Sequence, residues 1–292
     1  MKVLILGGGG MLGHKLCQLL ADRLELWATF RHKPADYPYL PAERCIDGMD
    51  VEDLPHLAQV LDQVQPAAVV NAAGIVKQRD EAKMAVPSVT VNSLFPHQLA
   101  DLCQPREIRV IQVSTDCVFS GFKGHYSEID NPDPVDLYGR SKLLGELNRP
   151  GTLTLRTSII GWQLNTFSSL LSWFWQQRGR QIKGYQRAIY SGFPTRVLSQ
   201  LIGDLLLTRP DLTGIYQVAS PPISKFDLLT QLRDLLSWSD IRIEGDENFF
   251  CDRSLSGERF ERATGWQAPS WESMLNGLAE EWPQYQSLYP TP

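Results

Sequence analysis

The first thirteen residues constrain this chain more than any others. Lys2-Val3-Leu4-Ile5-Leu6 is a short apolar run rich in branched side chains, and it passes at once into Gly7-Gly8-Gly9-Gly10-Met11-Leu12-Gly13, then into an amphipathic stretch over 14–23. A buried strand, a turn without side chains and a helix start, in that order, aim backbone N–H groups and the positive end of a helix at one point. That arrangement receives a phosphate. Gly7, Gly10 and Gly13 form G-x-x-G-x-x-G, in which the first permits the tight bend, the second lets a pyrophosphate approach, and the third packs helix on sheet. A glycine run alone carries little, and its plain alternative is an ordinary strand-to-helix turn. The flanking strand and helix favour a dinucleotide pocket, with Met11 and Leu12 of the same turn among its contacts.

A chain of 292 residues can bury a good core, as one large domain or as a nucleotide-binding domain with a smaller lobe. The second arrangement is predicted: an α/β protein, a Rossmann-type doubly wound parallel sheet over residues 1–160, with 161–292 mainly a C-terminal substrate-binding lobe. Part of 195–219 returns to the first domain. Hydrophobic content of 43%, charged content of 21% and a net charge of −5 suit a folded soluble protein and argue against a nucleic-acid partner. The five cysteines, Cys17, Cys45, Cys103, Cys117 and Cys251, are scattered and lack C-x-x-C spacing, so neither a disulfide framework nor a zinc or other metal site is expected. Val3 already begins a core strand, and no apolar run reaches the ~18 residues of a membrane helix. The expected location is the cytoplasm, with no membrane partner.

Along the chain, 24–30 reads as a second strand that ends at Arg31-His32-Lys33. At this point an acidic residue selects NAD by binding the ribose hydroxyls, whereas an arginine accommodates the 2′-phosphate of NADP. Arg31 therefore points to NADP(H), with NAD(H) the alternative, and Lys33 would reinforce it, although a basic triplet at a strand end is also a common solvated loop. Residues 44–47 make a third strand, followed by Asp50 and Val51 and a helix over 52–64. Asp50 and Val51 either flank the adenine or, in the case of Asp50, cap that helix. A fourth strand over 67–71 ends in Asn71-Ala72-Ala73-Gly74, whose small residues let the nicotinamide half of the cofactor pass close to the backbone. Residues 81–103 are helical in pattern, with a start near Pro87 and a kink near Pro96. Asn92 there is polar amid apolar neighbours, which suggests a buried amide satisfied by backbone groups or water.

The fifth strand, 108–113, delivers Ser114-Thr115-Asp116 to its carboxyl end, where ligands of open α/β sheets bind. A Gly-, Asp- and Pro-rich loop over 119–134 leads to Tyr138-Gly139-Arg140-Ser141-Lys142 at a helix start. Tyr138 and Lys142 are four apart and share one helix face. Such a pair arises by chance often enough to prove little, but its place one loop after a Ser-Thr strand end is discriminating. An ammonium beside a phenol favours phenolate and draws its pKa towards neutrality, so the pair can give a proton to a carbonyl oxygen while hydride reaches the carbon. Thr115, or Ser114 in the other register, would hold that oxygen.

With those residues assembled, the chain resembles an extended short-chain dehydrogenase/reductase, and within that family the dTDP-4-dehydrorhamnose reductase (RmlD-like) branch. The resemblance rests on the glycine turn, Asn71-Ala72-Ala73-Gly74, the run from Val113 to Phe119, Tyr138-x-x-x-Lys142 and Leu155-Arg156-Thr157-Ser158. It is specific over residues 1 to about 160, and looser beyond, where Phe193-Pro194-Thr195 carries most of it. It implies a nicotinamide-dependent reduction of the 4-keto group of a nucleotide-linked 6-deoxysugar. Thr115, Tyr138 and Lys142 are then catalytic, Tyr138 and Lys142 also touch the cofactor, and Asn92 joins the cofactor site and proton relay. The chain departs from that branch at Cys117, where many members carry Tyr, and at Ile159, where many carry an aromatic ring. The second departure removes a stacking platform for the sugar and puts dTDP-4-dehydrorhamnose itself in question.

In the second half, 152–157 is a sixth strand and 167–177 a very aromatic helix. Trp173 or Trp175 either lines a sugar or base pocket or packs in the core. Residues 184–194 read as a polar, glycine-containing loop, Thr195 caps a helix over 196–207, and 214–219 is a strand. Ser224 caps a helix, and 271–282 forms a terminal one. Arg187 and Arg196 are the candidate diphosphate contacts. Two other readings keep the same fold: a nucleotide-sugar epimerase or dehydratase that retains its cofactor, and a dinucleotide-binding regulatory subunit without catalysis. The expected partners are the nucleotide-sugar substrate and, for assembly, a second copy in a homodimer.

Overall fold

The computed structural model describes residues 1–34, 36–78, 80–165 and 167–291. Two compact units are present. The first comprises Met1–Thr115, Asp136–Arg156 and Leu198–Tyr216, and the second Asp116–Val135, Thr157–Val197 and the chain from Gln217 onward. Residues 116–135, assigned to the first domain from the sequence, fall in the second unit, while 198–216, within the stretch expected to return, lie in the first.

In chain order the elements are β1 (Lys2–Leu6), α1 (Gly13–Leu20), β2 (Glu25–Thr29), β3 (Cys45–Ile46), α2 (Leu54–Val64), β4 (Ala68–Asn71), α3 (Ala85–Val89), α4 (Phe95–Cys103), β5 (Arg109–Thr115), α5 (Leu137–Leu144) and β6 (Thr152–Thr157). There follow β7 (Ile159–Ile160), α6 (Leu170–Trp175), β8 (Gln181–Tyr190), β9 (Phe193–Pro194), α7 (Thr195–Thr208), β10 (Gly214–Gln217), β11 (Ile223–Ser224), α8 (Lys225–Leu235), β12 (Arg242–Asp252), α9 (Glu258–Thr264) and α10 (Trp271–Tyr285).

The first unit is built on a seven-stranded sheet ordered β10-β6-β5-β4-β1-β2-β3. From β5 to β3 neighbouring strands run parallel, with Ile5 of β1 opposite Ala28 on one side and Val70 on the other. Val3, Leu4, Ile5 and Leu6 are wholly buried. Helices cover both faces of such a strand, which explains a continuous apolar run in place of alternation. The strand order reverses between β1 and β4, so the crevice for a ligand opens outside their carboxyl ends, where Gly7 and Ala72 follow. On one face of the sheet Leu4, Leu6, Val69 and Val110 pack against Leu57, Leu61 and Val64 of α2 and Leu99 and Cys103 of α4.

Two helix starts differ from the sequence reading. Asp53, not Asp50, caps α2, its carboxylate accepting the His56 N–H at 3.0 Å, while Asp50 accepts the Glu52 N–H at 3.0 Å. Pro55 fixes the start, because proline fits only the first turn. Residues 85–103 form one continuous rod, beginning at Ala85, in which α3 and α4 are joined by a π-helical turn over Thr90–Leu94. Pro96 cannot donate to the Asn92 carbonyl, and just before it Phe95 N–H bonds the Thr90 carbonyl, one residue further back than an α-helix allows. Proline therefore inserts a wide turn here and does not break the helix.

The second unit holds a three-stranded sheet ordered β11-β8-β12. β11 runs antiparallel to β8, and β12 runs parallel to it with an irregularity between Asp246 and Phe250. Residues 184–190, expected as loop, are strand, and β12 had no counterpart in the reading. The misleading residue is Gly184. A Cβ there would lie 2.6 Å from side-chain atoms of both Ile243 and Phe226, so this glycine marks close packing within a strand, not a bend. Elsewhere in the unit Trp162 is fully buried, its indole N–H donates to the Leu278 carbonyl at 2.9 Å, and its ring lies 4.7 Å from Trp282. Trp175 packs on Trp282 and Trp238 at 4.8 and 5.2 Å and is half-buried, whereas Trp173 is 40% exposed. Gly184→Ala should destabilise the protein by about 1–3 kcal/mol, the usual cost of overpacking, as read by urea unfolding; unchanged stability would show that β8 and α8 can part freely.

Candidate active site

Gly7 leaves β1 at φ +87°, a backbone angle that excludes most side chains. Its N–H reaches Thr29 Oγ1 at 3.4 Å, and the Gly8 N–H donates to the Thr29 carbonyl at 2.9 Å, so the turn is stapled to the end of β2. The Gly10 N–H closes the bend onto the Gly7 carbonyl at 3.0 Å. A Cβ on Gly13 would fall 2.0 Å from that same carbonyl oxygen, so the third glycine seats α1 on the turn itself, not on the sheet as expected. α1 begins with no side-chain cap and no acidic residue in its first turn. Its first N–H groups and positive end thus suit an anion, and the residues present fit a dinucleotide pyrophosphate. Gly10 is exposed, Met11 half-buried and Leu12 buried.

Of the residues expected around the rest of the cofactor, Arg31 is exposed just past the buried Phe30 at the end of β2. Lys33 is tied back: its N–H donates to Asp47 Oδ1 at 2.7 Å and its ammonium reaches the Pro34 carbonyl at 3.3 Å. Val51 packs against the apolar core and Asp50 is exposed. Asn71 is buried, donates to Gln112 Oε1 at 2.8 Å and accepts the Ala73 N–H at 3.2 Å. It shapes the half-buried Ala72-Ala73 bend, and its amide groups are used within the protein.

The same holds for Asn92. Its Oδ1 accepts the Ile75 N–H at 3.0 Å, and its Nδ2 donates to the Ile75 carbonyl at 3.0 Å and to Ser141 Oγ at 3.2 Å. The neighbouring Ser93 hydroxyl donates to the Ser141 carbonyl at 2.8 Å. The π-helical turn therefore ties the loop after β4 to α5. That helix starts at an Asp136 cap, which accepts the Gly139 N–H at 2.8 Å and pairs with Lys77 at 2.7 Å.

Tyr138 and Lys142 follow on one face of α5, with Tyr138 half-buried and Lys142 buried. The Lys142 ammonium donates to the Val113 carbonyl of β5 at 2.7 Å. Burial lowers its pKa from the ordinary lysine value to about 8, against the opposing pull of Glu146. Ser114 donates to Glu146 Oε1 at 2.7 Å, and Glu146 holds Arg156 through two bonds of 2.8 and 2.7 Å. Ser114 is thus tied to this buried pair, and Thr115 is buried beside it at the end of β5. Glu146 was not singled out in the sequence, although Arg156 lay inside a quoted motif. No spacing links residues brought together only by β6 crossing to β5.

In the second unit Arg196 lies 4.0 Å from Glu280 and Glu281, and the Arg187 guanidinium stands 5.0 Å over the Phe250 ring. Cys117 is half-buried, and Ile159 of β7 pairs with Phe193 of β9.

Comparison with known proteins agrees with this geometry. The model of the RmlD substrate binding domain family matches residues 1–169. The dTDP-4-dehydrorhamnose reductase of Aggregatibacter actinomycetemcomitans is 30% identical over 249 residues, covering 80% of this chain and 78% of that protein. Several further curated relatives match over about half of their own length. Among solved structures, a hypothetical dTDP-4-dehydrorhamnose reductase from Sulfolobus tokodaii superposes with a TM-score of 0.75 at 25% identity, covering 94% of this chain and 99% of that one. The dTDP-4-dehydrorhamnose reductase of Bacillus anthracis in complex with NADP gives a TM-score of 0.78 at 23% identity, over 96% and 99% of the two chains, and so shares the fold.

Asn92→Ala should remove three hydrogen bonds and strand both polar groups of Ile75, lowering stability by about 2–4 kcal/mol in urea unfolding. A loss under about 0.5 kcal/mol would show that water replaces the amide without penalty.

Proposed function

Because this chain belongs to the RmlD substrate binding domain family, we propose that it is an NADPH-dependent reductase of a nucleotide-linked 4-keto-6-deoxysugar, with Thr115, Tyr138 and Lys142 as its catalytic residues. The observation that carries this reading is the buried Lys142 ammonium on the Val113 carbonyl, one helical turn from Tyr138 and beside the end of β5. A nicotinamide held at the glycine turn and the carboxyl ends of β1 and β4 would supply the hydride. Tyr138 gives its phenolic proton to the carbonyl oxygen of the sugar as the alcohol forms. Lys142, fixed on β5, favours the phenolate and so makes the phenol a stronger acid near neutral pH. Thr115 holds the carbonyl oxygen in place with its hydroxyl. Arg31 would hold the 2′-phosphate, and the glycine turn the pyrophosphate.

Among the described residues no helix is long and apolar enough to cross a membrane. We assign the chain to the cytoplasm, which suits its free cysteines, and read it as a homodimer. Supporting that assembly, Val86, Val89, Leu94 and Leu144 of the first unit are exposed apolar residues at 77, 42, 49 and 63%. Light scattering at micromolar concentration should give twice the chain mass; the monomer mass would refute the dimer.

The enzyme test is net oxidation of NADPH with dTDP-4-keto-6-deoxysugars. Tyr138→Phe should lower kcat by about 10²–10⁴-fold, the usual contribution of a positioned acid. Absence of turnover with every such sugar, or retention of NAD without net consumption, would overturn the reading. The Lys142 ammonium exists below about pH 8 and is lost as pH rises through that value. kcat/KM should therefore fall above about pH 8. Between about 8 and the ordinary lysine value the unfolded chain keeps a proton that the native one sheds, so this group makes folding more favourable as activity declines. Loss of rate with intact melting temperature is the expected signature, and a flat profile to pH 10 would remove Lys142 from the mechanism.

A further inference from the structure

The glycine turn is gripped from beneath by two side chains to which no role has been given above. Tyr37 is 7% exposed, and its hydroxyl donates to the Gly8 carbonyl at 2.8 Å. His14 is wholly buried on the first turn of α1, and its Nδ1 lies 2.8 Å from the Gly10 carbonyl. A carbonyl only accepts, so Nδ1 carries the proton. Burial lowers the His14 pKa to about 4 and keeps the ring neutral at physiological pH.

Neither side chain is loose. The Tyr37 ring meets Phe30 edge-on at 4.7 Å and Tyr39 at 5.2 Å, and Tyr39 in turn lies 6.0 Å from His14. Phe30 presses on the turn as well, since a Cβ on Gly8 would fall 2.8 Å from its ring. Arg31 follows Phe30 directly, and Tyr37 lies six residues after Arg31. One aromatic cluster therefore connects the strand end that offers a cation for the 2′-phosphate with the bend that receives the pyrophosphate.

The consequence follows from the planarity of the peptide. In a trans peptide the C=O and the following N–H point in opposite directions. Holding the Gly8 carbonyl towards Tyr37 turns the Gly9 N–H away from it. Holding the Gly10 carbonyl towards His14 does the same for the Met11 N–H. Glycine alone restricts its backbone little; the Gly10 carbonyl also accepts the His14 backbone N–H at 3.0 Å, so the His14 ring adds a second hold there, while Tyr37 holds the Gly8 plane. Successive N–H groups turned to one side make an anion-binding concavity.

We infer that Tyr37 and His14 are positioning residues for the dinucleotide pyrophosphate, which lock the peptide planes of the glycine turn so that the Gly9 and Met11 N–H groups face the ligand. This rests on the reading of the turn as a dinucleotide site. Pre-orientation of donors removes an ordering cost that the ligand would otherwise meet on binding. The effect belongs to affinity for any ligand bearing the pyrophosphate, and neither to the chemical step nor to the choice between NADPH and NADH.

The test uses the full chain and titrates NADPH, NADH, ADP-ribose and 2′-AMP into the wild type, Tyr37→Phe, His14→Leu and His14→Asn. Tyr37→Phe and His14→Leu should each weaken NADPH, NADH and ADP-ribose alike by about 3–10-fold, the worth of one hydrogen bond. 2′-AMP, which lacks the pyrophosphate, should bind unchanged, and kcat at saturating NADPH should stay within twofold. His14→Asn places an amide N–H where Nδ1 stood and should recover affinity to within about twofold. Unaltered NADPH binding in a folded Tyr37→Phe or His14→Leu variant overturns the inference, as does an equal loss for 2′-AMP. Should either of these fail to fold, His14→Asn decides: wild-type affinity supports the inference, and a loss as large for 2′-AMP as for ADP-ribose overturns it. Wild-type protein that binds none of the dinucleotides refutes the functional reading instead, and does so before any variant is made.

Discussion

An ammonium buried without a partner is among the most expensive groups a fold can carry, and this protein buries one at Lys142. The bond to the Val113 carbonyl makes that burial tolerable, and it also fixes α5 against the carboxyl end of β5. Several polar contacts of the first unit meet α5 around this junction. Asn92 and Ser93 approach α5 from the π-helical turn through Ser141, and Ser114 reaches the Glu146–Arg156 pair just beyond the helix. The helix itself has little amphipathic character, with only Gly139, Ser141 and Lys142 buried. Polar bonds to specific partners, more than an apolar stripe, hold it in register. Such a device specifies one position of the helix, because a slip by one residue would leave a buried charge unpaired.

The two units divide their physics differently. The first is a layered α/β core in which apolar strands are covered by helices. The second relies on aromatic packing, with Trp162, Trp175 and Trp238 each against Trp282 and the indole N–H groups of Trp162 and Trp175 satisfied by the Leu278 and Pro290 carbonyls. Tryptophan suits a small sheet with little interior, since each ring removes a large area from water while its single donor needs only one acceptor. The aromatic richness of 167–177 is therefore explained chiefly by the core of the second unit.

Which features were legible in the sequence follows from the range of the signal. The glycine turn, the parallel strands and the Tyr138–Lys142 pair are written in contiguous residues whose local geometry is nearly dictated by their type, and the strand 152–157 was placed to the residue. Helix starts were legible to within a few positions, and the errors came where two caps competed, as Asp50 and Asp53 do. Gly184 misled because glycine serves both as a bend and as a site of close approach, and only Phe226 and Ile243, distant in sequence, settle which. Ser114 and Thr115 were inseparable by motif for the same reason. The partner that engages Ser114, Glu146, is 32 residues away. Pro96 was expected to kink the helix, but the missing hydrogen bond was absorbed by a wider turn, a choice set by the demand of Ile75 and Ser141 for the Asn92 side chain.

The second unit keeps a charged cluster whose members come from four separate segments, and no contiguous motif could announce it. The Lys225 ammonium stands 3.8 Å from the centre of the buried Tyr190 ring, and Asp116, Cys117 and Cys251 all act on it electrostatically. Burial lowers its pKa to about 8, and the same burial, with Asp116, pushes the Tyr190 phenol well above its usual value. Cys117 occupies a position at which the resemblance leads one to expect tyrosine, and it sits two residues after Thr115. A lysine held on an aromatic face is a point donor with three N–H groups, suited to oxygen-rich ligands of varied geometry.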